Sequence, residues 1–141
     1  MKIDIARLAD QQETVLVEDW DAQVLDLNVP GWEYAGPVHV QATVVRDAGL
    51  IRAQVRLQAR ANLVCCRCLK EFDSSFEKTV RLVYASDLSQ KTLVLDDDIR
   101  QEVILGYPQK ILCQQGCKGL CSRCGKDLNE GECKCVRTKK E

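Results

Sequence analysis

Nine cysteines stand among the 141 residues, and they are the side chains with the most chemistry in them. Three lie together as Cys65-Cys66-Arg67-Cys68. The other six follow as Cys113-x3-Cys117-x3-Cys121-x2-Cys124-Gly125 and then Cys133-x-Cys135. An odd count with thiols two or three residues apart points to metal ligation rather than disulfides. The opening stretch MKIDIARLAD agrees: Lys2, Asp4 and Arg7 interrupt any apolar run of the kind an export signal needs. Zinc prefers four donors in a tetrahedron, with thiolate sulfur at about 2.3 Å. A C-x2-C turn sets two sulfurs on the same side of a tight loop, and a glycine directly after it, here Gly125, turns the backbone without a Cβ clash.

The spacing suggests one site from Cys121, Cys124, Cys133 and Cys135. A second forms from Cys65, Cys68, Cys113 and Cys117 if a helix returns the chain to the edge where Cys65 lies. Cys66 is then left over as a packing residue. A different partition stays open, with Cys113, Cys117, Cys121 and Cys124 in one site and Cys133 and Cys135 facing Cys65 and Cys68. The expected cofactor is one or two Zn2+ ions, although iron also takes four-thiolate sites. All-cysteine ligation argues for a structural role, because a catalytic zinc keeps an open position. Cys/His catalysis has no support: the only histidine, His39, falls on an expected strand as a surface residue. Thiol-redox chemistry at Cys65 and Cys68 is the enzymatic alternative.

The elements that must carry these residues read mainly as strands. Val38, Val40, Ala42 and Val44 alternate with polar neighbours, and Asp47-Ala48-Gly49 supplies a turn. Ile51, Ala53, Val55, Leu57, Ala59, Ala61 and Leu63 then share one face of a long strand, with Arg52, Gln54, Arg56, Gln58, Arg60 and Asn62 on the other. An antiparallel hairpin with one wall in the core and one in water follows. Phe76, Val80, Leu82 and Tyr84 suggest a further strand. Asp96-Asp97-Asp98 offers N-capping groups for a helix near 97–106, with Ile99, Val103 and Ile104 as its apolar stripe and Gly106 and Pro108 at its end. In the first 35 residues, 15–17 and 24–29 read as short strands with Pro30-Gly31 as a turn. Residues 113–141 have too few large apolar side chains for a core and need a staple.

The expected fold is therefore α+β: a mainly antiparallel sheet, sandwich or partial barrel, with one short helix and a Cys-rich zinc-binding C-terminal extension. Residues 1–112 form the sheet domain and 113–141 the extension. No apolar run approaches the roughly 18–20 residues that cross a bilayer, so a cytoplasmic chain with no membrane partner is expected.

Net charge is −1, but it alternates along the chain. Residues 1–50 carry 3 basic and 9 acidic groups, 51–70 carry 5 basic and none acidic, and 113–141 carry 7 basic and 4 acidic. Arg52, Arg56 and Arg60 recur every fourth residue, roughly 13 Å apart along a strand. Guanidinium forks suit phosphates, and the interleaved Gln54, Gln58 and Asn62 suit sugars or bases. The bland reading is a solvated sheet face, favoured by the lack of interleaved aromatic rings for base stacking. Lys118, Arg123, Lys126, Lys134, Arg137, Lys139 and Lys140 add a basic tail. One Zn2+ with four thiolates carries a formal charge of about −2, so these cations partly neutralise a metal site.

Cys65-Cys66-Arg67-Cys68-Leu69-Lys70-Glu71-Phe72 resembles the YceD family, the large ribosomal RNA subunit accumulation proteins. The likeness continues in Leu112-Cys113-x3-Cys117-Lys118-Gly119-Leu120-Cys121-x2-Cys124-Gly125-Lys126-Asp127-Leu128-Asn129-Glu130 and in Cys133-x-Cys135. The resemblance implies a non-enzymatic role in accumulation of 23S ribosomal RNA and assembly of the large subunit, with ribosomal RNA or a ribosomal protein as partner. It aligns Cys65 and Cys68 with the family's paired cysteines, and Cys113, Cys117, Cys121, Cys124 and Cys135 with its terminal cluster. A protein-interaction module that binds no RNA is the alternative from another class.

Overall fold

A fifteen-residue strand with strict apolar–polar alternation runs through the centre of the structure, a computed structural model that describes residues 1–87 and 89–135. In chain order the strands are β1 (Lys2–Asp4), β2 (Glu13–Trp20), β3 (Trp32–Tyr34), β4 (Val38–Asp47), β5 (Leu50–Val64), β6 (Glu71–Ala85) and β7 (Thr92–Val94), followed by one helix, α1 (Asp96–Leu105). A 3-10 turn, Ile5–Arg7, follows β1. The α+β architecture with antiparallel pairing is as expected, and both sheets are open.

β5 organises the larger sheet. β6 pairs it along its whole length, from Leu50↔Ala85 to Val64↔Glu71. On the opposite edge β4 covers its first half as far as His39↔Gln58, and β3 takes over at Ala61 to Leu63. β2 closes the β4 side. The β4–β5 turn rests on Ala48 and Gly49, with φ of 48° and 78°, the paired left-handed conformation of a two-residue hairpin loop. β1 and β7 form the second, two-stranded sheet.

Alternation decides the layers. Val38, Val40, Ala42 and Val44 of β4 and Ile51, Ala53, Val55 and Leu57 of β5 are buried on one face. Met1, Ile3, Ile5, Leu8, Leu27 and the α1 side chains Ile99 and Val103 join them in the same core. Each such aliphatic burial is worth about 1.5–3 kcal/mol. Beyond that core the hairpin continues over a smaller aromatic cluster. Trp32 stacks on Tyr107 at 4.8 Å between centroids, and Phe76 meets Trp32 edge-on at 5.6 Å. The Tyr107 hydroxyl donates to the Leu27 carbonyl at 2.7 Å. The chain leaving α1 is thereby steered along the hairpin toward its far end.

Two expectations need correction. Residues 24–29 are not a strand. They are turn and loop, with Val24 exposed and Leu27 buried, because the Leu27 N–H bonds the Ala22 carbonyl at 2.9 Å and closes a turn instead of a ladder. Nor do Asp96, Asp97 and Asp98 cap α1. Leu95 occupies the N-cap without a side-chain bond, and the three carboxylates sit in the first turn. There they complement the positive end of the helix dipole, and Asp98 accepts from the Tyr84 hydroxyl. No described helix is long and apolar enough to cross a membrane.

The two faces of α1 predict opposite responses to truncation. Ile99→Ala empties a site that is 0% exposed and should cost about 2–5 kcal/mol in urea unfolding. Leu105→Ala, at 79% exposure, should change stability by less than about 0.5 kcal/mol. Equal effects would mean the helix does not dock as described.

Candidate metal centres

At the far end of the β5–β6 hairpin the chain makes a knuckle. The Cys65 N–H donates to the Lys70 carbonyl at 2.9 Å, and the Leu69 N–H returns to the Cys65 carbonyl at 3.0 Å. The same pattern recurs in the tail. There Cys121 N–H donates to Lys126 carbonyl at 2.8 Å and Gly125 N–H to Cys121 carbonyl at 2.9 Å. The residue after each second cysteine is left-handed, with φ of 59° at Leu69 and 72° at Gly125. The two C-x2-C turns are thus the same turn. The glycine flags the second in sequence, whereas Leu69 hides the first.

The segment after α1 brings the remaining thiols. The Cys66 N–H donates to Ile111 carbonyl at 2.8 Å, and Arg67 Nη1 donates to Cys117 carbonyl at 2.8 Å. Gly119 lies so close to the knuckle that a Cβ there would stand 3.3 Å from the Arg67 carbonyl oxygen. Cys65, Cys68, Cys113 and Cys117 consequently form one group, and Cys121, Cys124, Cys133 and Cys135 another, with each group's sulfurs all within 4.8 Å of one another. Of the two partitions open in the sequence, the structure brings together this one. The groups differ in exposure: Cys65 and Cys117 are buried, while Cys124 is exposed.

The geometry suits a tetrahedral ion. Four sulfurs about 2.3 Å from a centre stand about 3.8 Å apart. Cys65–Cys117 is 3.7 Å, Cys68–Cys113 3.5 Å and Cys121–Cys133 3.4 Å. These are far above the roughly 2.05 Å of a disulfide, and all nine cysteines are free. The donor set is soft and complete, which suits zinc or iron and leaves no place for a reacting water.

Electrostatics within each group are uneven. Burial pushes the Cys65 thiol up, but the N–H groups of Cys68, Cys113 and Arg67 outweigh it and hold the thiol down to about 6. The Cys124 and Arg123 N–H groups, with the Cys133 thiol, bring Cys121 to about 6. Burial and then the neighbouring sulfurs of Cys68, Cys117 and Cys65 push Cys113 up to about 12. Cys135 rises to about 12, first through Cys124 and then through burial. Each group is built to hold a first thiolate and resists the next, a conflict that a divalent cation at its centre removes.

The other candidates lie elsewhere. Arg52, Arg56 and Arg60 are on the solvent face of β5, as expected. Arg56 is bound to Glu77 at 2.7 Å, and Arg52 stands 4.0 Å from Asp47. Arg60 has no ion pair among the described residues. His39 is also on this face, bonded to Asp19, opposite Gln58 and remote from the thiols beyond Val64. Arg137, Lys139 and Lys140 lie outside the described residues. Sequence reasoning missed Arg67 and Asn129, whose amide reaches Cys117 Sγ at 3.2 Å. Only their proximity to the cysteine motifs hinted at them.

Residues 53–141 match the family described as "Large ribosomal RNA subunit accumulation protein YceD". The match spans more than half of the chain and all nine cysteines, and the chain belongs to this family. No curated protein and no solved structure matches it.

Burial orders the thiols by reactivity. In metal-loaded protein under native conditions iodoacetamide should label the exposed Cys66 first, while the buried Cys65 and Cys117 stay unlabelled until chelator or denaturant is added. Mass mapping that found Cys65 labelled as fast as Cys66 would refute the grouping.

Proposed function

We propose that this YceD-family chain is a non-enzymatic factor in the accumulation of 23S ribosomal RNA and the assembly of the large ribosomal subunit, acting in the cytoplasm. The observation that carries the reading is the coincidence of the family match with both four-thiol groups. In this reading each group holds one structural Zn2+, which fixes the tail against the end of the β5–β6 hairpin. Cys65, Cys68, Cys113 and Cys117 hold one ion, and Cys121, Cys124, Cys133 and Cys135 the other. The thiol-redox alternative fits less well, because Cys65 and Cys68 are 0% and 6% exposed and a reactive thiol needs access.

RNA contact in this reading runs through the outer face of the main sheet. Arg60 is the residue most available to a phosphate, Arg52 next, and Arg56 least because Glu77 already occupies its guanidinium. A second reading, contact with a ribosomal protein and not with RNA, is favoured by the mixed character of the same face. Glu77 and Asp47 offset two of its arginines, and Val15, Val17 and Val83 are more than half exposed on it.

Protein purified without added metal should contain two Zn2+ per chain by elemental analysis, and depletion in cells should lower 23S RNA and large-subunit peaks. Unchanged RNA and subunit profiles would defeat the functional reading. In salt titrations of RNA binding, replacing Arg52 and Arg60 together with alanine should reduce the log–log slope by about 1.4, two single-strand phosphate contacts' worth. An unchanged slope would leave the protein-contact reading in place.

A further inference from the structure

Asn129 belongs to the loop between Cys124 and Cys133, yet its side chain serves the other thiol group. Its Nδ2 donates to Cys117 Sγ at 3.2 Å and to Asp127 Oδ1 at 2.8 Å. Its Oδ1 accepts from the Lys118 N–H at 2.8 Å and from Gln114 Nε2 at 3.2 Å. Both amide hydrogens and both carbonyl lone pairs are used, so the group has one orientation. The orientation is not arbitrary either: the Lys118 N–H can only donate, so the oxygen must face it and the NH2 must face the sulfur. Asp127 secures the loop further by accepting from the Asn129 N–H at 2.9 Å.

The backbone makes the same connection. The Leu128 N–H donates to the Gly119 carbonyl at 2.9 Å, and Leu120 bridges Asp127. Gly119 and Leu120 lie in the three-residue link between Cys117, of the buried group, and Cys121, of the exposed one. Cys121 and Cys133 therefore set the two ends of a loop whose middle reaches back to Cys117.

We propose that Asn129 is a positioning residue for the buried thiol group and that, through it, the two groups bind metal as a coupled pair. The inference rests on the reading that both groups hold a metal. An N–H directed at a ligand sulfur stabilises the thiolate and fixes its direction, and loss of such a partner typically costs 10–100-fold in metal affinity. Filling the exposed group closes the 124–133 loop and presents the amide to Cys117. By linkage, filling the buried group must favour the exposed one by the same factor.

The test uses the full-length chain, Zn2+ and a chromophoric competing chelator. Cys124→Ser disables the exposed group and so reports the buried group alone. Asn129→Ala and the isosteric Asn129→Asp remove the N–H, the latter while keeping an acceptor for Lys118 and Gln114. Far-ultraviolet circular dichroism checks that the sheet is intact in each variant, and the sulfur-to-metal charge-transfer bands of Co2+-loaded protein report the environment of Cys117. Both Asn129 variants should weaken the buried group by about 10–100-fold and shift those bands, with Asp worse than Ala. Cys124→Ser should also weaken the buried group, and adding Asn129→Ala to it should cost less than in the wild-type chain, the non-additivity of a shared contact. Two ions bound with the buried group unaffected by either Asn129 variant would overturn the positioning role and the coupling through it, while leaving the metal reading in place. No binding by the wild-type chain would overturn the metal reading and the coupling with it.

Discussion

Between Tyr107 and Cys135 there is almost nothing apolar to bury, so the position of this whole segment depends on four sulfurs at one end of a hairpin. Leu112 and Leu120 are only partly buried, and the group they pack against consists of Cys65, Cys68 and Cys117. Ordering a residue costs about 1–2 kcal/mol in backbone entropy, and two or three half-buried leucines cannot offset that over such a length. Thiolate–metal bonds can, since structural zinc contributes about 10–16 kcal/mol in zinc-finger peptides. The buried group has the further property that its ligands come from two distant stretches, so an ion there closes a long loop instead of a local one.

The sheet prepares this site at a distance. β6 follows β5 for all fifteen residues, whereas β4 leaves β5 after Gln58. Without support on that edge the end of the hairpin would be a bare two-stranded ribbon, marginal in water. β3 and the rings of Trp32, Phe76 and Tyr107 provide the support. Tyr107 does so from the segment leaving α1, which means that the residue stiffening the hairpin also aims the chain at Cys65. Replacing that contact would loosen the knuckle and misdirect Cys113 together.

How much of this was legible in the sequence follows from which interactions are local. β4 and β5 could be read residue by residue, because one face packs and the other is wet, and their turn carries its own glycine. The four-thiol grouping could be narrowed but not chosen, since the choice depends on where α1 returns the chain, and that is set by Tyr107 meeting Trp32 across 75 residues of sequence. The short β1 escaped notice because its partner is β7, and Lys2 finds Val94 only in the folded chain. The first knuckle carries no glycine to flag it, because Leu69 adopts the left-handed conformation that Gly125 advertises in the second. Asn129 could not have been singled out, because an asparagine in a loop is ordinary and only its saturated amide is informative.

Charge divides the labour between sheet and tail. Residues 113–135 contain Lys118, Arg123, Lys126 and Lys134 against Asp127, Glu130 and Glu132. If each four-thiolate group held a divalent ion, at about −2 apiece, the 7 basic and 4 acidic groups of residues 113–141 together with Arg67 and Lys70 would leave this end close to neutral. Arg67 and Lys118 line a groove of about 730 Å³ between Cys117 and the Cys133/Cys135 pair, where they face thiols and offset their charge. On the β5 face Glu77 and Asp47 pair Arg56 and Arg52, and Arg60 has no ion pair among the described residues. The tail is placed relative to that face by shape: Arg67 holds the Cys117 carbonyl, and the Asn129 amide reaches Cys117 Sγ.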